Sequence, residues 1–500
     1  MIRITRGNFE PLVFCFPPGT AKVKSADDDS EMNSEDQDPL RQLPSLTELL
    51  NASPAIRWLE QYPRSLVVSS LRRAVDEARQ QLRKGTKTNV PGDLLLLDGI
   101  LARAEVYLGA AIEPGVREAI NATGIILHTG LGRAVFPEGV VEAILSGLTG
   151  YVTLAVNRQT GDRAERDELL EPLLAELTGA EAATVVNNNA GATLLVLAAL
   201  AAEREVVVSR GQLIEIGGSF RLPDVMSQSR VKLVEVGTTN RTHLRDYQRA
   251  ITDNTAALMK VHPSNYRVTG FTSEVETAEL AELAHQKGLW LIDDLGAGAL
   301  VDLARFGLPH EPTVQESLQA GADVVLFSAD KLIGASQAGI IVGRRNLIAS
   351  LRQHPLMRAL RVDKTCLMIL ERTLALFRRP ERLAEVHPTY RMLAQGKDVL
   401  KERADRLRSA IQGRIPHASL GIQASQAYLG SGSLPTQALD SFVVTVALPG
   451  LGADELSRRL RLDPACVFGR IQQDLLCLDV RTITDGQLAS IVTALARIQS

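Results

Sequence analysis

Between Asn121 and Arg378 short apolar runs alternate with amphipathic stretches, the pattern of strands buried on both faces and joined by crossover helices. Thr184–Val186, Glu205–Ser209, Lys232–Val236, Ala256–Val261, Leu289–Ile292 and Val324–Phe327 read as the strands. A helix such as Val275–Lys287 fits between two of them, with Ser273 as its cap and Gly288 as its stop. This alternation predicts a parallel α/β sheet. Such sheets bind ligands outside the carboxyl ends of their strands, so the residues that follow each strand carry most information.

The remaining sequence predicts flanking modules. Residues 1–42 read as a disordered acidic tail, because SADDDSEMNSEDQDP (Ser25–Pro39) has too little apolar surface to offset its ordering entropy. Residues 43–115 read as a helical N-terminal domain. Ser45 and Glu48 form a capping box, and Ser69–Lys84 carries an apolar stripe of Leu71, Val75, Ala78 and Leu82. The other faces of that helix bear Arg72, Arg73, Arg79, Arg83 and Lys84, and from pattern alone an ordinary solvated surface explains them better than a functional basic patch does. A further helix is expected over Asp93–Leu108. Residues 116–380 then form the large α/β domain, and residues 381–500 a small α+β domain. The latter comprises a long helical stretch (Tyr390–Gln412), strands at Ser441–Ala447 and Leu475–Asp479, and a helix at Gly452–Arg461.

Composition excludes several functions. A net charge of −3 gives no global attraction to nucleic acid, and 4% aromatic residues argue against a base-stacking single-strand surface. Cys15, Cys366, Cys466 and Cys477 are scattered, with no CxxC pair, so neither a metal site nor a disulfide scaffold is expected. No apolar run is long enough to span a bilayer, and Leu12–Phe16 is too short for a signal-peptide core. A cytoplasmic enzyme without membrane or DNA partners is the expectation.

Three strand ends carry the chemistry. Val324–Phe327 runs into Ser328, Asp330 and Lys331. A lysine there is costly unless paired or used neutral, and Schiff-base chemistry uses it neutral, although a salt bridge at the sheet edge is the commoner reason. Leu289–Ile292 ends in Asp293-Asp294, where a carboxylate can face the ring nitrogen of a pyridine cofactor while the other caps a helix or pairs in a loop. Thr184–Val186 ends in Asn187-Asn188-Asn189-Ala190-Gly191, a small-residue helix start suited to a phosphate. Phosphate turn, then carboxylate, then lysine is the order of pyridoxal 5′-phosphate enzymes of the aspartate-aminotransferase-like class, fold type I. Arg358 and Arg361 are spaced three apart, as on one helix face, while Arg133, Arg163 and Arg166 lie in polar loops. On the residues alone, pairing with nearby carboxylates explains these arginines better than an oxyanion pocket does.

At these residues the chain resembles the bacterial L-seryl-tRNA(Sec) selenium transferase (selenocysteine synthase) family. The likeness runs from about Leu43 to the C-terminus. It is dense in Asn121–Arg133, Val186–Ala190, Val206–Asp224, Val236–His243, Met259–Tyr266, Phe327–Gly343 and His354–Lys364. The resemblance implies that Lys331 forms the Schiff base, that Asp294 faces the pyridinium, and that Asn188, Asn189, Ala190 and Gly191 hold the cofactor phosphate, with Ser328 nearby. It further implies that Arg133, Arg358 and Arg361 line a selenophosphate pocket with Arg166 close by, and that Asp330 supports catalysis. The implied reaction converts seryl-tRNA(Sec) to selenocysteinyl-tRNA(Sec) through an aminoacrylyl-tRNA, in a homo-oligomer of dimers arranged as a ring. The basic helix around Arg72–Lys84 becomes a tRNA contact. Where the family usually has Asn, Ser, Ser and Gly-Gly/Pro-Gln, this chain has Gly130, Ala297, Ala299 and Ala335-Ser336-Gln337. A related lyase or transferase acting on a free small amino acid, and a non-catalytic tRNA-binding relative, are the alternatives.

Overall fold

The computed structural model describes residues 43–83, 97–166, 169–217, 220–263, 266–430, 434 and 437–499. The acidic tail, Lys84 and the expected helix start at Asp93 lie outside these residues. The chain divides into two compact units, with the boundary between Arg117 and Glu118.

The N-terminal unit is helical: α1 (Leu46–Asn51), α2 (Ser53–Gln61), α3 (Arg64–Arg83) and α4 (Leu97–Ile112). Ser45 and Glu48 form the expected capping box. Helix α3 starts five residues before the expected Ser69, because Pro63 supplies the preset φ of a first turn and its carbonyl accepts from Leu66 N at 2.9 Å. Leu71, Val75 and Ala78 are buried with Ile100, Ala104 and Leu108 of α4. Part of the basic surface is already engaged: Arg79 pairs with Asp76 at 3.1 Å, and Arg73 lies 4.2 Å over the Tyr107 ring.

The second unit is built on a seven-stranded sheet of β1 (Ala182–Val186), β2 (Glu205–Ser209), β3 (Lys232–Val236), β4 (Thr255–Val261), β5 (Trp290–Gly296), β6 (Val324–Ser328) and β7 (Gly339–Gly343). Their spatial order is β1-β7-β6-β5-β4-β2-β3. Apolar residues run continuously along each strand because both faces are covered. In β6, Val325 and Phe327 enter one core and Val324 and Leu326 the other. The sheet is mixed, which corrects the all-parallel expectation. The loop between β6 and β7 is too short for a crossover helix, so β7 returns antiparallel and inserts between β6 and β1.

A second, four-stranded antiparallel sheet contains β8 (Ser419–Tyr428), β9 (Ala438–Ala447), β10 (Arg470–Gln472) and β11 (Leu475–Asp479), in the order β8-β9-β11-β10. Strand β8 is unexpected from the sequence. It is an edge strand with polar residues on much of its length, so it lacks a strong apolar period. The expected long helix is broken into Pro388–Ala394 and Lys397–Arg414, with extended Gly396 between them. Ser273 does not cap the helix after β4. That helix is Thr277–Gln286, Glu279 accepts from Glu276 N at 3.3 Å, and Ser273 instead bridges to Arg241. Two residues, Ile120–Asn121, pair in parallel with Val467–Phe468 as a separate two-stranded sheet, which ties the start of this unit to its C-terminal part.

Close packing at the end of β5 depends on one missing side chain. Gly298 has φ +67°, and a Cβ there would stand 2.5 Å from the Phe327 ring. Gly298→Ala is expected to lower unfolding free energy by roughly 2–4 kcal/mol, from a strained φ plus overpacking, as read by urea denaturation.

Candidate functional site

Strand β6 delivers Lys331 through a tight turn. Ala329 N donates to Ala338 O, Ala335 N to Ala329 O and Gly334 N to Lys331 O. Lys331 is 6% exposed, and its amine makes no hydrogen bond or ion pair with any described residue. Burial pushes its pKa below the usual lysine range. The Arg133 guanidinium adds to that, while Asp330, Asp294 and Glu311 oppose it. The shift favours the neutral, nucleophilic form of the amine that carbonyl chemistry requires.

The two adjacent aspartates of β5 face opposite ways, as alternation demands. Asp293 accepts from Ser317 Oγ on the helix Val314–Gln319 and serves packing. Asp294 accepts from Asn189 Nδ2 at 2.8 Å, Gly296 N at 3.0 Å and Thr193 Oγ1 at 3.1 Å. Burial pushes the Asp294 carboxyl up, and these three donors and Lys331 pull it back. Ala297 and Ala299, where the resemblance leads one to expect serine, are buried in the apolar core. The carboxylate is satisfied without hydroxyls there because Asn189 and Thr193 supply the donors.

At the end of β1, Asn188 caps the helix Asn189–Ala201, its Oδ1 accepting from Gly191 N at 2.7 Å. Asn189 reaches Asp294, and its own Oδ1 is buried without a partner. The start of β7 presses against this turn: Gly339 pairs with Ser328 on β6, and a Cβ on Gly339 would stand 2.3 Å from Asn188 O. Gly191 and Ala190 lie in the first turn of the helix, at its positive end.

The arginines fall into two groups. Arg133, at φ +64° after Gly132, donates to Asp330 at 2.7 Å, so it belongs with the lysine. Asp330 keeps its second oxygen buried and without a partner. Arg361, Arg358, Arg166 and Arg163 form the other group. Repulsion from Arg166 is the largest cause holding the Arg361 pKa below the usual arginine range, followed by burial, Arg358 and Arg163, with Glu165 opposing. Four cations set against each other in this way favour a bound anion. The expectation that Arg358 and Arg361 share a helix face is corrected. The helix is Pro355–Ala359, and Arg361 is extended, bridging to Val186 at the end of β1. Asn187 N donates to Leu360 O at 2.9 Å, which joins the arginine segment to the Asn188–Gly191 turn.

Four contributors were invisible in the sequence: Thr193, Glu311, His262 and His387. Thr193 follows Asn189 by one helical turn, a spacing that could have been read once Asn189 was tied to Asp294. His387 donates from Nε2 to Ile333 O at 2.9 Å and braces the turn after Lys331, from a position far along the chain. Among the described residues no cluster of His, Cys, Asp or Glu could hold a metal ion.

Residues 119–484 match the family model described as L-seryl-tRNA selenium transferase, and residues 40–79 match that of the selenocysteine synthase N terminal. The L-seryl-tRNA(Sec) selenium transferase of Haemophilus influenzae is 44% identical, over 89% of this chain and 96% of that protein. That of Moorella thermoacetica is 44% identical over 93% and 97%, and that of Methylocella silvestris 45% over 90% and 96%. Among solved structures, D-glucosaminate-6-phosphate ammonia-lyase superposes with a TM-score of 0.53 at 22% identity, covering 77% of this chain and 96% of that one, and shares the fold.

The His387 brace makes the turn after Lys331 sensitive to acid. Burial pushes the imidazole down to about 4 from its ordinary 6.5. The unfolded chain therefore takes up this proton at higher pH than the folded one. The stability held by neutral His387 is complete above about 6.5 and is lost as pH falls toward 4, by about 3 kcal/mol in all. Urea denaturation across that window is expected to show the loss, and His387→Gln to remove most of the slope.

Proposed function

The chain belongs to the L-seryl-tRNA selenium transferase family, and from that premise we propose that it converts L-seryl-tRNA(Sec) to L-selenocysteinyl-tRNA(Sec), with selenophosphate as selenium donor. The observation that carries the reading is the buried, unpaired Lys331 amine within electrostatic reach of Asp294.

The cofactor is pyridoxal 5′-phosphate. The residues fit it on their own chemistry. Lys331 offers a buried amine to an aldehyde, and Asp294 a fixed carboxyl group to the ring nitrogen. The first turn of the helix Asn189–Ala201, with Ser328 beside it, offers donors to a phosphate, and the orphaned Asn189 Oδ1 leaves a buried polar atom for a ligand to satisfy. When bound, the cofactor supplies the electron sink that makes loss of the serine α-proton and exchange of its β-substituent accessible.

The protein's own contribution is positioning and proton transfer. Lys331, whose amine burial shifts toward the neutral form, is the base for the α-proton. Asp294, oriented by Asn189 and Thr193, presents its carboxyl group to the ring-nitrogen side of the site. Asp330 aims Arg133 at the lysine. Arg358, Arg361 and Arg166 bind the selenophosphate oxyanion, whose charge relieves their mutual repulsion. On the N-terminal unit, exposed Arg72 and Arg83 of α3 are the tRNA contacts. Assembly into a homo-oligomer is supported by exposed Val141, Leu145 and Leu148 along the helix Glu138–Thr149, followed by exposed Tyr151. No described helix is long and apolar enough to cross a membrane, and a cytoplasmic site of action fits a tRNA substrate.

Purified protein given seryl-tRNA(Sec) and labelled selenophosphate should transfer selenium to the RNA. Lys331→Ala should abolish both this transfer and the visible absorption of the cofactor, with circular dichroism unchanged. Full activity in that variant would defeat the assignment. Arg361→Ala should raise the KM for selenophosphate roughly 10- to 100-fold, the worth of a charge-assisted hydrogen bond, and leave the KM for seryl-tRNA unchanged.

A further inference from the structure

The residues assigned above leave a cavity of about 350 Å³ without a role. It opens at the carboxyl ends of β2, β3 and β4, and Gln212, His262 and Glu311 are among its lining residues. Two of these are linked to the catalytic cluster. His262 N donates to Asp294 O at 2.8 Å, and the Glu311 carboxylate, itself buried, acts on Lys331. We propose that this cavity receives the 3′-terminal adenosine of the tRNA substrate, an inference that rests on the reaction assigned above.

Position is the first argument. The reacting carbon of an aminoacyl ester is tethered to the terminal ribose by a short linkage, so the nucleoside must dock beside the lysine that takes the α-proton. The cavity's Glu311 acts electrostatically on that lysine and its His262 is hydrogen-bonded through the backbone to Asp294, and its volume lies within the roughly 300–1,000 Å³ of small-molecule sites.

Chemistry is the second. Buried Glu311 lines the cavity, which disfavours a free oxyanion such as selenophosphate beside it and suits a neutral base and sugar. The cations stand at its edge: Arg241 and Arg267 are exposed and make no ion pair with any described residue, as the phosphates that lead into the nucleoside require. Aromatic surface is present beside them. Tyr266 lines the cavity and its hydroxyl donates to Gly211 O. Phe271, in the chain between lining residues Val268 and Thr272, is 84% exposed, and its carbonyl accepts from Asn240 Nδ2 at 2.7 Å. An aromatic ring held by its backbone but left open to solvent is a stacking platform for a base.

The test uses the full-length, cofactor-loaded protein and seryl-tRNA(Sec) whose terminal adenosine carries a photoreactive azide. Irradiation and peptide mapping should place the label on Thr238–Arg241 or Tyr266–Ser273. Phe271→Ala should cut the label and raise the KM for seryl-tRNA about tenfold, with kcat and the KM for selenophosphate unchanged. Arg267→Ala should weaken seryl-tRNA binding and flatten its salt dependence. Label confined to other segments, or wild-type kinetics in both variants, would overturn the proposal. Failure of the unaltered protein to transfer selenium would count against the parent reaction instead, and the position of the cross-link would still decide whether the cavity holds the RNA end.

Discussion

The hydrogen bond from Asn189 to Asp294 ties together the ends of β1 and β5, strands separated by β7 and β6. Lys331 emerges from β6, between the two tied strands. The turn at the head of one helix, a buried carboxylate and a buried amine are thereby set around one point at the carboxyl edge of the sheet. The antiparallel insertion of β7 makes this possible, because it brings Gly339 against Asn188 and lets the turn lie flush with the lysine loop. Without that pairing, each of the three groups would be an isolated polar residue in an apolar edge, which is costly.

Two electrostatic regimes adjoin this point. Inside, Lys331 and Asp294 are each pushed toward neutrality by burial and held by a few donors and opposite charges. Outside, Arg361 is exposed and repelled by Arg166, Arg358 and Arg163, a cluster open to an anion. The backbone bridge between Arg361 and Val186 joins the regimes by hydrogen bonding at the end of the strand that leads into the Asn188–Gly191 turn. Proton transfer and anion capture thus occupy neighbouring but chemically distinct ground.

The segment that carries Arg133 is held by the small sheet. Arg470 donates to Thr123 O at 2.7 Å and faces buried Asp479 at 3.3 Å, while Gly124 N donates to Thr482 Oγ1 at 3.1 Å. Gly124, at φ +80°, leaves no room for a Cβ beside Asp479. The residues Asn121–Gly124 therefore work as an anchor, and Arg133 reaches Asp330 from a segment fixed at its far end. That explains why a polar string so distant in sequence from Lys331 belongs to the same site.

Much of this was legible in one dimension. Buried strands read directly from their apolar runs, since a strand covered on both faces has no polar alternation to blur it, and β2, β3 and β11 have the expected bounds. Residues that follow such strands are few, so Lys331, Asp294 and the Asn188–Gly191 turn could be singled out by position alone. Edge strand β8 was hidden because its polar face weakens the period. The direction of β7, the extended state of Arg361, the division of labour between Asp293 and Asp294, and the contributions of Glu311 and His387 were decided only in three dimensions. Each depends on which distant chain segment packs against the residue. Local propensity acts over a few neighbours, whereas hydrogen bonds and charges across the sheet join residues that only folding brings together.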